Sequence, residues 1–184
     1  MNTPAGSQRS QYATCIFYFP MQLGCRCKHC GEQPKNKNIM SLHTPDLTKS
    51  PPRSPRVRLG GYCQLPRMLD KARAELTGKN GEYHYNCPLD QQFFSFTGIA
   101  ADALKAVAAK SDTEVLAWVN AHAKRTVPEI IAWSRWMDGR APDNVDGREF
   151  FNGVHKSIAP LREDIATWFD LLDMDDFITY GGKA

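Results

Sequence analysis

The segment 82–90 contains residue types that could do chemistry. It holds two acidic residues, one histidine and one cysteine, namely Glu82, His84, Cys87 and Asp90. The segment has no clear regular pattern, and loops on a rigid scaffold are where binding groups concentrate. A cysteine near a histidine can form a thiolate–imidazole pair, which Asp90 or Glu82 would orient. These four residues are our catalytic candidates, although a buried Cys87 and a locally hydrogen-bonded His84 are the more common use of such residues.

Three arginines ahead of the first predicted helix could bind an anion, namely Arg53, Arg56 and Arg58. Guanidinium groups suit phosphate, and Gly60-Gly61 would let backbone N–H groups near a helix start approach it. The alternative is a solvated basic segment that pairs with the domain's own carboxylates, such as those of Asp173, Asp175 and Asp176. The ligand-binding candidates are Arg53, Arg56, Arg58, Arg67, Tyr83 and Tyr85.

Cysteines near the N-terminus and scattered histidines could hold a metal. Cys25, Cys27 and Cys30 offer the thiolates that Zn²⁺ prefers, but no second ligand pair follows at the spacing of a structural zinc site. The histidines of the later segments lack the His-Glu-x-x-His and His-x-x-x-His spacings; they are His84, His122 and His155. We therefore predict no metal site and no cofactor.

The net charge of +3 divides unevenly along the chain. Of 23 basic and 20 acidic residues, five basic and one acidic residue lie in the first 39, so the remainder carries a net −1. Because that remainder is not basic, we do not expect nucleic acid as a partner. No apolar stretch reaches the roughly 20 residues of a membrane helix, and the two later cysteines make no disulfide framework. We expect a cytoplasmic protein without a membrane partner.

Residues 1–58 are rich in Pro, Ser, Thr, Asn, Gln and Lys and have almost no apolar periodicity. Such a segment cannot bury enough apolar surface to offset the entropy of ordering it, which predicts a largely disordered N-terminal arm. Pro51, Pro52 and Pro55 favour an extended approach to the folded domain. Met40 and the residues after it resemble the natural beginning of a protein. Our hypothesis is therefore that residues 1–39 are a spurious upstream extension that the domain does not need.

From Gly60 onward the apolar pattern is helical. One face of the first helix is apolar, with Leu65, Met68, Leu69, Ala72 and Leu76, and a charged set is expected to be solvated, with Arg67, Asp70, Lys71 and Arg73. Capping boxes predict two further helix starts, at Ser111–Glu114 and at Thr126–Glu129. Other helices are expected over 89–96, 100–109 and 145–157, and after Pro160. Four tryptophans lie in apolar helical stripes and are expected in the core, namely Trp118, Trp133, Trp136 and Trp168.

These elements predict an all-α fold, a single irregular bundle of six or seven helices behind a largely disordered N-terminal arm. We assign residues 1–45 to the arm and residues 46–184 to one helical domain.

Four ordered motifs carry a family resemblance. They are Pro52-Arg53-Ser54-Pro55-Arg56, Leu59-Gly60-Gly61-Tyr62, Leu65-Pro66-Arg67-Met68-Leu69-Asp70-Lys71-Ala72-Arg73-Ala74 and Gly81-Glu82-Tyr83-His84-Tyr85-Asn86-Cys87-Pro88-Leu89-Asp90. Through them the chain resembles a bacterial domain-of-unknown-function family, number five thousand and sixty-nine, from about Asp46 to the C-terminus. The resemblance implies a small helical protein and supplies no reaction, ligand or catalytic residue.

The leading functional hypothesis is a non-enzymatic helical domain that binds a protein partner or a small ligand. Its binding face would comprise the arginine segment, the first helix and the loop 82–90. One alternative is an enzyme with Cys87 or His84 as the reactive group. The other is an anion or nucleic-acid binder that works through Arg53, Arg56 and Arg58.

Overall fold

The protein is described over residues 44–183 by a computed structural model. Its seven helices are, in chain order, α1 (Leu65–Leu76), α2 (Pro88–Thr97), α3 (Ala101–Val107), α4 (Asp112–Ala123), α5 (Val127–Asp138), α6 (Val145–Ile158) and α7 (Trp168–Thr179). No strand forms within this range, where one isolated β-bridge joins Leu59 to Tyr62. The all-α prediction is confirmed. None of these helices is long and apolar enough to cross a membrane.

The predicted arm and metal half-site lie almost entirely outside the described residues. This applies to residues 1–43, which include Cys25, Cys27, Cys30 and Met40. The proposed extension over residues 1–39 and the zinc interpretation therefore stay predictions.

Local capping chemistry places several helix starts where the sequence predicts them. The Ser111 hydroxyl accepts from the Glu114 N–H, and the Glu114 carboxylate accepts from the Ser111 N–H. The Thr126 N–H donates to Glu129 in the same way at 2.8 Å. Each box satisfies backbone donors that have no partner inside the helix, so both predicted starts are confirmed.

The last helix begins later than the sequence indicates. Residues after Pro160 form turns, and Leu161, predicted to be helical, is 92% exposed. The Asp170 carboxylate accepts from both the N–H and the hydroxyl of Thr167, so this capping box starts α7. The helix then continues through the acidic residues Asp173, Asp175 and Asp176, because its apolar residues on the buried face include Leu171 and Met174.

Residues 46–58 pack against the helices, so the prediction of disorder from composition is wrong for this stretch. Leu47 is buried, and its N–H donates to the Lys79 carbonyl at 2.9 Å. Pro52 is buried as well. The segment has few apolar side chains, but Leu47, Pro52 and Pro55 are inserted into the domain, whereas Val57 is exposed. Ion pairs described below hold the intervening arginines.

Helix α1 lies at the centre of the fold and is buried around its whole circumference. Its apolar face joins the main core with Phe93, Val115 and Val119. Four charged side chains that were expected in solvent are each at most 3% exposed, namely Arg67, Asp70, Lys71 and Arg73. This prediction is wrong because every one of these charges meets an opposite charge from another element, which a single-helix pattern does not reveal.

The tryptophans divide between core and surface. Trp133 packs in the main core, stacked on Phe96 with ring centroids 4.9 Å apart. Trp118 and Trp168 are partly buried against hydrophobic clusters, whereas Trp136 is 51% exposed and departs from the prediction.

Candidate functional site

A pocket of about 740 Å³ opens between α1, the loop 81–87 and α7. Its walls come from Arg67 and Lys71 of α1, from Asp175 of α7 and from the loop that the sequence singled out. Leu47, from the N-terminal segment, adds an apolar wall. The volume lies within the range of about 300–1,000 Å³ found for small-molecule sites.

Lys71, Asp90 and Cys87 form a hydrogen-bonded cluster at this pocket. The Lys71 Nζ donates to Asp90 Oδ2 at 2.7 Å and lies 3.3 Å from the Cys87 Sγ. Asp90 is fully buried, and the same Oδ2 accepts from the Cys87 N–H at 3.3 Å. Cys87 is the N-cap of α2, so its thiol lies between a helix N-terminus and an ammonium group. Such surroundings are typical of reactive cysteines.

Gln64 extends this cluster and leaves one polar atom without a partner. Its Nε2 donates to Asp90 Oδ1 at 2.8 Å, which fixes the orientation of the amide because only the NH₂ end can donate to a carboxylate. The Oε1 is then left without a hydrogen bond, although the residue is fully buried and lines the pocket. A buried acceptor without a partner costs roughly 1–3 kcal/mol.

The backbone beside the pocket is strained at Gln64. This residue has φ 62° and ψ −31°, a combination that residues with a side chain adopt with difficulty, whereas φ 65° at Asn86 lies in the left-handed region that asparagine tolerates. Gln64 immediately precedes α1 and Asn86 immediately precedes Cys87. Strain of this kind accumulates at functional sites, where the surrounding structure holds the chain in place.

Arg67 forms the second charged cluster of the pocket. Its guanidinium donates to both carboxylate oxygens of Asp176, at 2.6 and 3.2 Å. The Tyr83 hydroxyl donates to the same carboxylate at 2.7 Å. Burial and this hydrogen bond raise the pKa of Tyr83 far above its usual range, so the hydroxyl stays protonated and acts as a donor.

Asp175 is the unpaired acid of the pocket. It is half-buried, and it has no hydrogen bond or ion pair with any residue in the described range 44–183. Burial raises its pKa, with a further contribution from the neighbouring Asp176, while Arg67 acts in the opposite direction.

The four catalytic candidates lie around one pocket but do not form the predicted pair. Cys87 and His84 both line the pocket, yet the polar partner of Cys87 is Lys71. His84 and Glu82 are exposed at the rim. Asp90 orients Lys71 and the Cys87 backbone, not an imidazole.

The three arginines of the predicted anion site have different intramolecular partners. Arg53 pairs with Asp70 and Asp112, at 2.8 and 2.6 Å. Burial would lower the pKa of Arg53, but its hydrogen bonds with these two carboxylates raise it above the usual range.

The other two arginines, Arg56 and Arg58, also pair with carboxylates of the same chain. Arg56 pairs with Asp170 and Asp173, at 2.7 and 3.1 Å, and Arg58 pairs with Asp138. The structure therefore agrees with pairing with the domain's own carboxylates. Of the three carboxylates named for that role, only Asp173 pairs with one of these arginines, because Asp176 pairs with Arg67 and Asp175 has no ion pair in the described range.

The remaining ligand-binding candidates do not all lie at the pocket. Arg67 and Tyr83 line the pocket, whereas the Tyr85 hydroxyl donates to the Ala101 carbonyl at 2.8 Å and its ring packs edge-on against Phe94. Tyr85 thus belongs to the core side of the loop. Burial raises its pKa well above the usual range.

The histidines do not converge. His122 stacks on Trp118, and the His155 Nε2 lies 2.7 Å from the Arg162 carbonyl, while His84 lies at the pocket rim. Over residues 44–183, no group of three or more His, Cys, Asp or Glu side chains is placed to hold a metal ion.

Sequence reasoning missed three residues of the pocket. Lys71 was placed on a solvated face, Asp175 was named only as a carboxylate that could pair with the arginine segment, and Gln64 carried no interpretation. The burial of Lys71 was detectable in principle. Together with Asp70 and Arg73 it spreads charged residues over a wider part of the helix circumference than a single solvent-exposed face covers. Gln64 and Asp175 gave no such signal.

Comparison with known proteins gives one family match. Residues 49–178 match the family model described as Domain of unknown function (DUF5069). No curated protein matches the chain.

Proposed function

The chain belongs to the DUF5069 family of domains of unknown function, and from the geometry of its own pocket we propose that the helical domain binds a small organic ligand between α1, the loop 81–87 and α7. The observation that carries the proposal is the pocket of about 740 Å³ itself, whose wall includes Asp175, a half-buried carboxylate with no hydrogen bond or ion pair in the described range. A ligand that donates to this carboxylate would supply its missing partner.

Three further features support a small ligand over a protein partner as the occupant. The site is concave, whereas protein partners more often use flatter surfaces. Its polar groups converge from α1, the loop 81–87 and α7. The strained residue Gln64 lies beside it. Binding of a protein partner, the other possibility within the leading hypothesis from the sequence, has no comparable feature in its favour.

A ligand screen with a pocket-filling variant tests this function. The full chain is heated with small amines, carboxylates, sugars and phosphates, and at least one class is expected to raise its melting temperature in a concentration-dependent way. Thr179 is exposed and lines the pocket, so Thr179→Trp should abolish that shift. Thr113 is exposed on α4 away from the pocket, and Thr113→Trp is the matched control. A shift that persists in Thr179→Trp would overturn the proposed site.

A second candidate function, a thiol-dependent acyl transferase or hydrolase, is favoured by the Lys71–Cys87 contact. The Sγ lies 3.3 Å from an ammonium group and at a helix N-terminus, in a pocket large enough for a substrate. In such chemistry the thiolate attacks a carbonyl carbon, the leaving group departs with the bonding pair, and the acyl group stays on sulfur.

Acylation by p-nitrophenyl acetate tests the second candidate. We expect acetylation of Cys87, detected by peptide mass mapping, to be faster than that of free glutathione at the same pH. Cys87→Ser should lose this adduct and Cys63→Ser should retain it. A rate at or below that of glutathione would eliminate the enzyme.

A further inference from the structure

The buried hydrogen-bond donors that line the pocket are already bound to the protein. Arg67 donates to Asp176, and Lys71 donates to Asp90 and approaches Cys87. The Tyr83 hydroxyl donates to Asp176, and the Tyr180 hydroxyl donates to the Leu47 carbonyl at 2.6 Å. Each of these groups is therefore held in place by at least one short intramolecular bond.

The Asp175 carboxylate is in the opposite situation. It lies on α7 and lines the pocket, and it has no hydrogen bond or ion pair within the part of the chain that the structure describes. A ligand that donates to this carboxylate would supply its missing partner.

The charges agree with this conclusion. The positive lining residues Arg67 and Lys71 are each neutralised by a buried carboxylate, that of Asp176 or Asp90. Asp175 has no such counter-charge, and Glu82 adds a second carboxylate at the exposed rim. The pocket therefore presents excess negative charge to its occupant, which attracts cations and repels carboxylates and phosphates.

We propose that the ligand is an organic ammonium ion, with its N–H groups donating to Asp175 and its carbon skeleton against the apolar side chains of Leu47, Leu89 and Leu172. This inference rests on the proposed function and names the chemical class that the same pocket takes. The raised pKa of Asp175 is consistent with it, since a buried carboxylate without a counter-ion resists ionisation and a bound cation would supply that counter-ion.

Three probes of the same shape and different charge test the proposal. Benzylamine is the cation, benzyl alcohol the neutral isostere and benzoate the anion. Each is titrated into the full chain and followed by amide chemical shifts. We expect benzylamine to shift the amides of residues 81–87 and 172–180 in a saturable way, with a dissociation constant at least about tenfold below that of either other probe, a difference typical of one charge pair.

Asp175→Asn separates the charge from the shape of the site. This variant should lose the preference for benzylamine over benzyl alcohol while binding benzyl alcohol as the parent chain does. Asp173→Asn is the matched control, because Asp173 lies on the same helix but pairs with Arg56 and does not line this pocket. The control should keep the preference.

The outcomes distinguish the proposed function, binding of a small ligand, from the inference that this ligand is an ammonium ion. If benzyl alcohol or benzoate binds in the pocket as tightly as benzylamine, or if Asp175→Asn leaves the preference intact, the ammonium inference fails and the small-ligand function stands. If none of the probes shifts the pocket amides and no compound class stabilises the chain in the screen above, both fail.

Discussion

Arg67 of α1 and Asp176 of α7 form a buried bidentate ion pair. The guanidinium nitrogens lie 2.6 and 3.2 Å from the two carboxylate oxygens, and the residues are 2% and 6% exposed. The pair joins α1 to α7, and its Arg67 side chain forms part of the wall of the candidate pocket. Tyr83 also holds the Arg67 side chain in place, because the guanidinium lies over the tyrosine ring, 5.6 Å from its centroid.

Removing one member of this pair should destabilise the fold severely. Asp176→Ala leaves the Arg67 charge buried without a counter-ion, which costs about 3–5 kcal/mol. The double variant Arg67→Met/Asp176→Leu should recover most of the loss, because it removes both charges and keeps the volume apolar. Urea unfolding followed by circular dichroism measures both. A loss below about 1 kcal/mol for Asp176→Ala would contradict the buried pair.

Asp175→Asn should stabilise the protein at neutral pH. The folded-state pKa of Asp175 is raised, so its contribution to stability is present below the unfolded value near 3.8 and is lost as the pH rises through the folded value. The ionised form is therefore the unfavourable one at pH 7, and the amide removes it. We expect a gain of about 0.5–1 kcal/mol at pH 7.

The pH dependence of that gain provides the control. The stabilisation should shrink as the pH falls toward 4, where the parent carboxyl becomes protonated. Denaturant midpoints of the parent and the variant between pH 4 and 8 would show it. A gain that is independent of pH, or a loss of stability at pH 7, would exclude an unpaired carboxylate at this position.

Replacing Asp112 should change the stability in the opposite direction to replacing Asp175, because the pKa of Asp112 is lowered in the folded protein. Burial would raise its pKa, but hydrogen bonds from Arg53 and Arg73 lower it. Its stabilising contribution is therefore present above the unfolded value near 3.8 and is lost as the pH falls through the lower folded value. Asp112→Asn should lower the free energy of unfolding at pH 7 by roughly 1–2 kcal/mol, since the site is partly solvated.

Acid titration of the unfolding free energy checks the assignment. The difference between the parent and Asp112→Asn should narrow below pH 4. Asp146→Asn on the exposed surface of α6 is the matched control and should change stability little. Equal effects of the two substitutions at pH 7 would show that the Asp112 network contributes nothing.

Cys87 should react with iodoacetamide before Cys63. Cys63 is fully buried, and burial raises its pKa to about 11, so little thiolate is present at pH 8. Cys87 is half-buried and opens to the pocket beside Lys71. We expect peptide mapping of the folded chain to give an alkylation rate at least about tenfold higher at Cys87.

A lysine substitution tests whether the neighbouring charge matters. Lys71→Gln should slow the alkylation of Cys87, whereas Lys105→Gln, which removes a partly exposed lysine paired with Glu75, should leave it unchanged. Circular dichroism confirms that each variant is folded. Faster labelling of Cys63 than of Cys87 would contradict the buried and open environments assigned to them.

The sequence by itself determined the helices, because their signals are local. The pairs Ser111–Glu114 and Thr126–Glu129 lie three residues apart and satisfy backbone donors of their own helix, so the capping box is readable without any tertiary information. The same holds for the apolar stripe that includes Met68 and Leu69. The loop around Cys87 was also identifiable from its residue types.

Only the tertiary structure decided what the charges do. The partner of Lys71 lies 19 residues along the chain and the partner of Arg67 lies 109 residues along it. The charged pattern of α1 is therefore equally compatible with a solvated face and with a buried ionic centre. The difference depends on which carboxylates the other helices bring close, and that is a property of packing.

The pocket is a consequence of the same packing. Asp175 gained its functional meaning only when α1 and α7 were brought to one pocket, because an unpartnered acceptor is defined by the absence of a neighbour in space and not by its residue type. Local sequence determined where most of the helices begin, with α7 as the exception. Long-range ion pairing fixed which side chains were satisfied and which were left for a ligand.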